Sequence, residues 1–363
     1  MESSSSKMNS APKSIEKEEY MFDLEPDNKF KQILPTIPIK KGSWSLDFYQ
    51  YEGFWYPFSH LPGMLFAQEH FKPQPNQVIL SSFPKCGTTW LKALAFAIMT
   101  RSYESEPTNP LLSRLSHDCV PFIEFNIRSS QQRLSLDVPL VSTHIPYTSL
   151  PKSIINSSSK IVYLCRDPKD VFVSIWEFYN RNITRLFESE LGSKLGSELE
   201  ITREKDVLEE DVLESFCQGL LSCGPFWDHI LGYWRASLES PERILFIKYE
   251  DLTNETVYWV KKLAQFIGYP FSLEEEDQGM VQKIIDLCSF ENMSNLEVNK
   301  NGAVTLEVGI KKDEVYKYEL KNNLYFRKGK VGDWKNHLTP AMAIRIDQIT
   351  EKKLSSYGLT WNV

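Results

Sequence analysis

The segment "VILSSFPKCGTTWLKALAFAIM", beginning at Val78, constrains the fold more than any other stretch of the chain. A short apolar run enters Pro84-Lys85-Cys86-Gly87-Thr88-Thr89, and an apolar helical pattern follows. A strand that turns directly into a helix points the first backbone N–H groups of the helix at the turn, and the helix dipole favours an anion there. Gly87 permits close backbone approach, Thr88 and Thr89 offer hydroxyl donors, and Lys85 adds a mobile positive charge. The nucleotide-binding P-loop reads G-x-x-x-x-G-K-S/T. Here the lysine precedes the glycine and the leading glycine is missing. Spacing alone leaves both an anion-binding loop and an ordinary turn open.

The same alternation recurs downstream. "PLVSTHIP" reads as a second short strand, "KIVYLC" as a third and "RILFIKYEDL" as a fourth. Helical patterns separate them, among them "RDPKDVFVSIWEFYN" and "ETVYWVKKLAQFIG". Short apolar runs alternating with amphipathic helices imply β-α-β units. The fold class is therefore α/β, with a central parallel β-sheet flanked by helices. Residues 1–34 are rich in Ser, Lys, Glu and Pro and read as a disordered arm, leaving 35–363 as one domain. Within it, the polar stretch 181–216 reads either as a solvated insertion or as a lid. The aromatic segment "WSLDFYQYEGFWYPFSHLPGMLFAQEHF" reads either as a surface helix and loop on the core or as the wall of an apolar pocket.

Composition narrows the partners. A net charge of −7 argues against a general nucleic-acid binder, so an anionic ligand must be held by a few local cations. No run of about 18 apolar residues is present, which argues against a membrane span. The N-terminus lacks a secretory apolar core and lacks arginine, and the six cysteines are scattered without a C-x-x-C pair. These features point to a cytoplasmic protein without a zinc site.

Three further clusters carry chemistry. Arg166 ends the third strand and Ser174 follows about two turns into the next helix. Ligands of open α/β sheets bind beyond strand carboxyl ends, where an arginine can grip a phosphate. An ion pair of Arg166 with Asp167 or Asp170 is the competing reading. In "LYFRKGKVGDWKNHL", Arg327, Lys328 and Lys330 crowd around glycines, as in a loop closing on an anion or in a solvated basic run. His144 ends the second strand, where a neutral-range imidazole can serve as a general base.

Taken in order, "PKCGTTWLK", "THIP", "YLCRDPKDVFVS", "KYEDL", "CSFENM" and "FRKGKVGDWKNHL" resemble the soluble PAPS-dependent sulfotransferase family, most closely its plant cytosolic members. PAPS is 3′-phosphoadenosine 5′-phosphosulfate. "GPFWDHILGYWR" and the terminal "YGLTW" look like the plant branch, and the likeness runs from Trp44 to Trp361. The resemblance implies the P-loop-like fold of that family, PAPS as co-substrate with PAP as product, and no required metal. It implies that Lys85, Cys86, Gly87, Thr88, Thr89 and Trp90 surround the 5′-phosphosulfate, Lys85 bonding the bridging oxygen and Trp90 lying against the adenine. It gives Arg166, Ser174, Arg327, Lys328 and Gly329 to the 3′-phosphate, and Tyr249, Ser289, Phe290 and Met293 to the adenine. His144 becomes the base for a small, largely apolar hydroxylated acceptor of the flavonoid, steroid or hormone type. Trp55, Phe122, Tyr147, Trp176 and Tyr179 are the expected acceptor pocket.

Four positions depart from the broader family. Cys86 stands where many members have serine, and Ser142 where many animal members have lysine. The animal dimer motif K-x-x-x-T-V-x-x-x-E reads Lys335, Thr339, Pro340 and Ile344, so a monomer or weak dimer is expected. The rival readings are a non-catalytic PAP- or PAPS-binding module and a nucleotide-dependent phosphotransferase.

Overall fold

The computed structural model describes residues 28–43, 47–102, 109–126, 138–188, 209–311 and 314–361. Three strands, β1 (Ile39–Lys41), β2 (Asp47–Tyr51) and β3 (Phe54–Pro57), form an antiparallel sheet. Four more, β4 (Val78–Ser82), β5 (Leu140–Thr143), β6 (Lys160–Cys165) and β7 (Ile244–Lys248), form a parallel sheet in the order β5-β4-β6-β7. A separate antiparallel pair joins β8 (Ala303–Lys311) to β9 (Glu314–Lys321), a hairpin that the sequence pattern did not announce.

The parallel strands are apolar on both faces because both are covered. Ile79, Ile161, Tyr163 and Cys165 point into one core layer, formed with helices such as Leu61–His70 and Phe226–Glu239. Val78, Leu80, Val162 and Leu164 point into the other, formed with Thr88–Thr100 and Thr256–Ile267. The sheet is thus sandwiched, and its ligand-facing edge is the row of strand carboxyl ends.

Four expectations change at this level. The run "RILFIKYEDL" is strand only to Lys248; Tyr249–Asn254 is helical, with Glu250 and Asp251 in the first turn, where the helix dipole favours acids. Part of the aromatic segment is the β2–β3 hairpin rather than a surface helix and loop. Its turn, Glu52-Gly53, has φ of 49° and 85°, the left-handed pair that two-residue hairpins need. The arm expected over 1–34 lies largely outside the described residues, but Asn28–Ile33 is helical and Phe30 is buried against Phe58, ring centroids 5.5 Å apart. The stretch 181–216 is helical at both ends, within Pro168–Glu188 and Glu209–Cys217; residues 189–208, where a lid would sit, fall outside the described residues.

Candidate active site

Each parallel strand delivers one candidate residue at its carboxyl end: β4 the Lys85 loop, β5 His144, β6 Arg166 and β7 Tyr249. The register that pairs Ser81 with Thr143 and Ser82 with Leu164 sets these ends side by side.

The β4 loop is built from left-handed residues. Lys85 has φ of 69° and Gly87 of 103°. A Cβ on Gly87 would lie 2.7 Å from the Tyr249 ring, so glycine is required by space as well as by backbone. Gly87 is the N-cap of helix Thr88–Thr100, whose first N–H groups therefore face the loop's concavity. The Thr88 hydroxyl is buried against Ser82 Oγ at 2.6 Å, and Thr89 Oγ1 lies 3.2 Å from His117 Nε2. Cys86 points away, fully buried in the first core layer, and burial pushes its thiol pKa up. The Lys85 ammonium sits 3.9 Å over the Phe178 ring and 5.7 Å from that of Tyr325. Burial, followed by the charges of Arg166 and Arg327, brings its pKa down to about 7.

Arg166 is buried. It donates to the Lys330 carbonyl at 2.8 Å, stacks 4.7 Å over the Tyr249 ring and pairs with Asp170 at 3.6 Å, while its Nε is buried without a partner. Of the two competing ion pairs, Asp170 is the one formed; Asp167 lies instead 3.5 Å from Lys169. Ser174 is buried on the same helix. Asp170 also accepts from the N–H groups of Gly332 (2.7 Å) and Trp334 (3.0 Å), and so ties the basic loop to Arg166. In that loop Arg327 and Lys328 both bond Asp333, whose carboxyl pKa falls well below the ordinary range under those hydrogen bonds, against the opposing effect of burial. Gly329, at φ 61°, presses on Phe290, and its carbonyl accepts from the Tyr249 hydroxyl at 3.3 Å. Trp90 meets Tyr249 edge to face at 5.5 Å. Met293 shares the core layer of Tyr249, and the Ser289 hydroxyl caps the helix Phe290–Asn295. Contacts thus link Arg166, Tyr249, Trp90, Gly329 and Phe290, while Cys86 is turned into the core.

His144 is pinned through backbone and ring. Its N–H donates to Glu124 Oε1 at 2.6 Å and its carbonyl accepts from His229 Nε2 at 3.0 Å. Its ring Nδ1 lies 2.7 Å from the Ser82 carbonyl. A carbonyl can only accept, so Nδ1 carries the proton and Nε2 is left with its lone pair. Burial lowers the imidazole pKa to about 3, against the Ser82 hydrogen bond, which acts in the other direction. The Phe122 ring lies 4.8 Å from that of His144.

The remaining pocket expectations divide. Tyr147 packs on Tyr233 at 5.4 Å, and Tyr179 is packed against the first core layer, burial raising its hydroxyl pKa to about 12. Trp176 meets the His337 ring at 6.5 Å, beside Asp333. Strand alternation sends Phe54 and Tyr56 to the main core, whereas Trp55 packs with Phe48 and Leu220 in a separate cluster. Sequence reading missed Phe178, Tyr325, His117, Glu124 and Lys92. Only Lys92 left a local signal, as one lysine in the otherwise apolar "WLKALAFAIM".

The matching family model is the sulfotransferase domain, aligned to residues 75–358. The chain belongs to the sulfotransferase family. This sulfotransferase is 45% identical to a flavonol 3-sulfotransferase of Flaveria bidentis over 91% of its length and 99% of that relative. It is 44% identical to cytosolic sulfotransferase 17 of Arabidopsis thaliana, covering 91% of this chain and 89% of that one. Among solved structures, an Arabidopsis thaliana putative steroid sulphotransferase superposes with a TM-score of 0.65 at 33% identity, over 93% of this chain and 98% of that one. A mouse sulfotransferase complexed with PAP shares the fold, with a TM-score of 0.58 at 24% identity over 85% and 94%.

Proposed function

We propose that this sulfotransferase works in the cytosol, moving a sulfuryl group from PAPS to a hydroxyl of a small, largely apolar acceptor, with His144 as general base. The observation that carries the reading is the bare Nε2 of His144, fixed by the Ser82 carbonyl at a strand end next to the cationic β4 loop. The cradle also fits a donor with two anionic ends. Lys85 and the helix N-terminus serve the phosphosulfate, and Arg166 with its unpartnered Nε serves the 3′-phosphate, joined by Ser174 and the Arg327–Gly329 segment. Trp90, Tyr249, Phe290 and Met293 supply an apolar surface for the adenine between them.

In the step itself the acceptor O–H proton passes to His144 Nε2 as the acceptor oxygen forms its bond to sulfur. The bond from sulfur to the bridging oxygen breaks, and the electron pair stays on that oxygen, which becomes a phosphate oxygen of PAP. Lys85 answers the charge developing there. Like phosphoryl transfer, this chemistry asks the protein mainly for position and charge stabilisation. Phe122, Phe125, Phe178 and Tyr325 form the aromatic surroundings of His144 and Lys85, which suits a flat apolar acceptor such as a flavonol or a steroid.

The test is turnover of PAPS against flavonols, steroids and other hydroxylated metabolites, read by mass spectrometry. Sulfated product from the wild type, lost in His144→Ala, is the expected result. Phosphorylated product from ATP, or tight PAP binding with no turnover of any acceptor, would overturn the reading.

A further inference from the structure

Helix Thr88–Thr100 carries a lysine where its neighbours are apolar. Lys92 lies between Leu91 and Ala93, and it is 0% exposed. A buried lysine is costly unless its head is met by partners. The Lys92 ammonium has two: it lies 2.9 Å from His117 Nδ1 and 3.2 Å over the Phe122 ring. Burial pushes the Lys92 pKa well down, and Glu124 and Asp118 act in the opposite direction, favouring the charged amine.

His117 faces the opposite way with its other nitrogen, Nε2, which lies 3.2 Å from Thr89 Oγ1. The residue before it closes the same junction, because Ser116 Oγ donates to the Thr89 carbonyl at 3.0 Å. The His117 ring is also held between Phe122, stacked at 5.3 Å, and Tyr325 at 4.6 Å. Ring position and both nitrogen contacts are therefore fixed.

The direction of the protons in this chain follows from donor and acceptor chemistry. With its amine protonated, as Glu124 and Asp118 favour, Lys92 only donates, and Nδ1 of His117 then accepts. A neutral imidazole with a bare Nδ1 carries its proton on Nε2, and that N–H donates to Thr89 Oγ1. A hydroxyl that already accepts from a cation-backed donor is polarised, and its own proton is turned away from His117. We propose that Lys92 sets the tautomer of His117 and thereby aims the Thr89 hydroxyl proton at the anionic oxygens of the donor. Lys92 and His117 are then positioning residues for a phosphosulfate or phosphate group, set behind the loop that touches it. The inference rests on the donor assignment of the β4 loop above.

Nitrogen-15 NMR of histidine-labelled wild-type protein tests the core of this without any variant. The His117 signal should be that of the Nε2–H tautomer; an Nδ1–H tautomer overturns the proposal. In Lys92→Met the tautomer preference should be lost, and both the Kd for PAP and the KM for PAPS should rise roughly tenfold, the scale of one charge-assisted hydrogen bond. The acceptor KM should change less than the donor constants, since Lys92 reaches the acceptor side only through Phe122 and His117. Thr89→Val should erase the effect, so that Lys92→Met/Thr89→Val binds PAP like Thr89→Val alone. Full additivity of the two losses, or a loss confined to the acceptor KM, would overturn it. Absence of PAPS turnover in the wild type would instead count against the donor assignment, and the tautomer result would stand apart from it.

Discussion

The Lys85 ammonium is a strengthened acid. Its pKa is held near 7 by burial and by repulsion from Arg166 and Arg327. An anionic donor beside it favours the charged amine, so the pKa rises in the complex. Between the two values the bound state holds more protons than the free state, and affinity falls as pH rises. Calorimetry of PAP binding from pH 6.5 to 9 should show proton uptake, with affinity dropping by up to about tenfold per pH unit above pH 7. A flat profile would show that the amine is already fully protonated without donor. At His144 the demand is different: its low pKa keeps the imidazole unprotonated, and its basicity must rise as the charged donor and acceptor come beside it. Replacing it by alanine should lower kcat by roughly 10²–10⁴-fold, the usual contribution of a positioned base, while PAP affinity changes little.

At the scale of elements, the site depends on one helix holding one loop. Asp170, wholly buried on helix Pro168–Glu188, binds two loop N–H groups and faces Arg166. Asp170→Ala leaves Arg166 without its carboxylate and the loop without its anchor. Urea titration should show a loss of roughly 3–5 kcal/mol, the cost of breaking a buried pair, together with weaker PAP binding. This helix also explains what could be read in advance. The four parallel strands were legible because strands buried on both faces are continuous apolar runs. Lys85, Arg166, His144 and the Arg327–Gly329 segment were legible because they lie at strand ends or in glycine-marked loops, whereas Ser289, Phe290 and Met293 were readable only through the family resemblance. The Glu52-Gly53 hairpin was hidden inside a run of aromatics that fits a helix as well. The packing of Trp55 with Phe48 and Leu220 was not legible, because only the strand's alternation decides which face it takes. Lys92 and His117 gain meaning only through a contact made between distant segments, which no local pattern records.

For the whole molecule, several histidines are withheld from water together. His60 and His229 have pKa values lowered to about 4, and His144 to about 3, each mainly by burial. Unfolded, each takes a proton near pH 6.5, so below that pH the unfolded state binds more protons than the folded one. Glu124 works in the opposite sense between its unfolded value and about 7, since burial raises its pKa. The histidines outnumber it, so stability should fall as pH drops from 6.5 to 5.5, by about 1.4 kcal/mol per pH unit for each net proton. Melting curves of the ligand-free protein across that range would reveal it; a constant or rising Tm would contradict it.

The strand order has a consequence in time. Val78 must find Leu140 on one side and Lys160 on the other, and Ile161 must then find Ile244. Every pairing in the central sheet spans a long stretch of chain, and such pairings form slowly because loop closure precedes any reward. The helices can nucleate early, but the row of strand ends exists only when the last strand has docked. In refolding experiments, recovery of PAP binding should therefore lag well behind the return of helical circular dichroism.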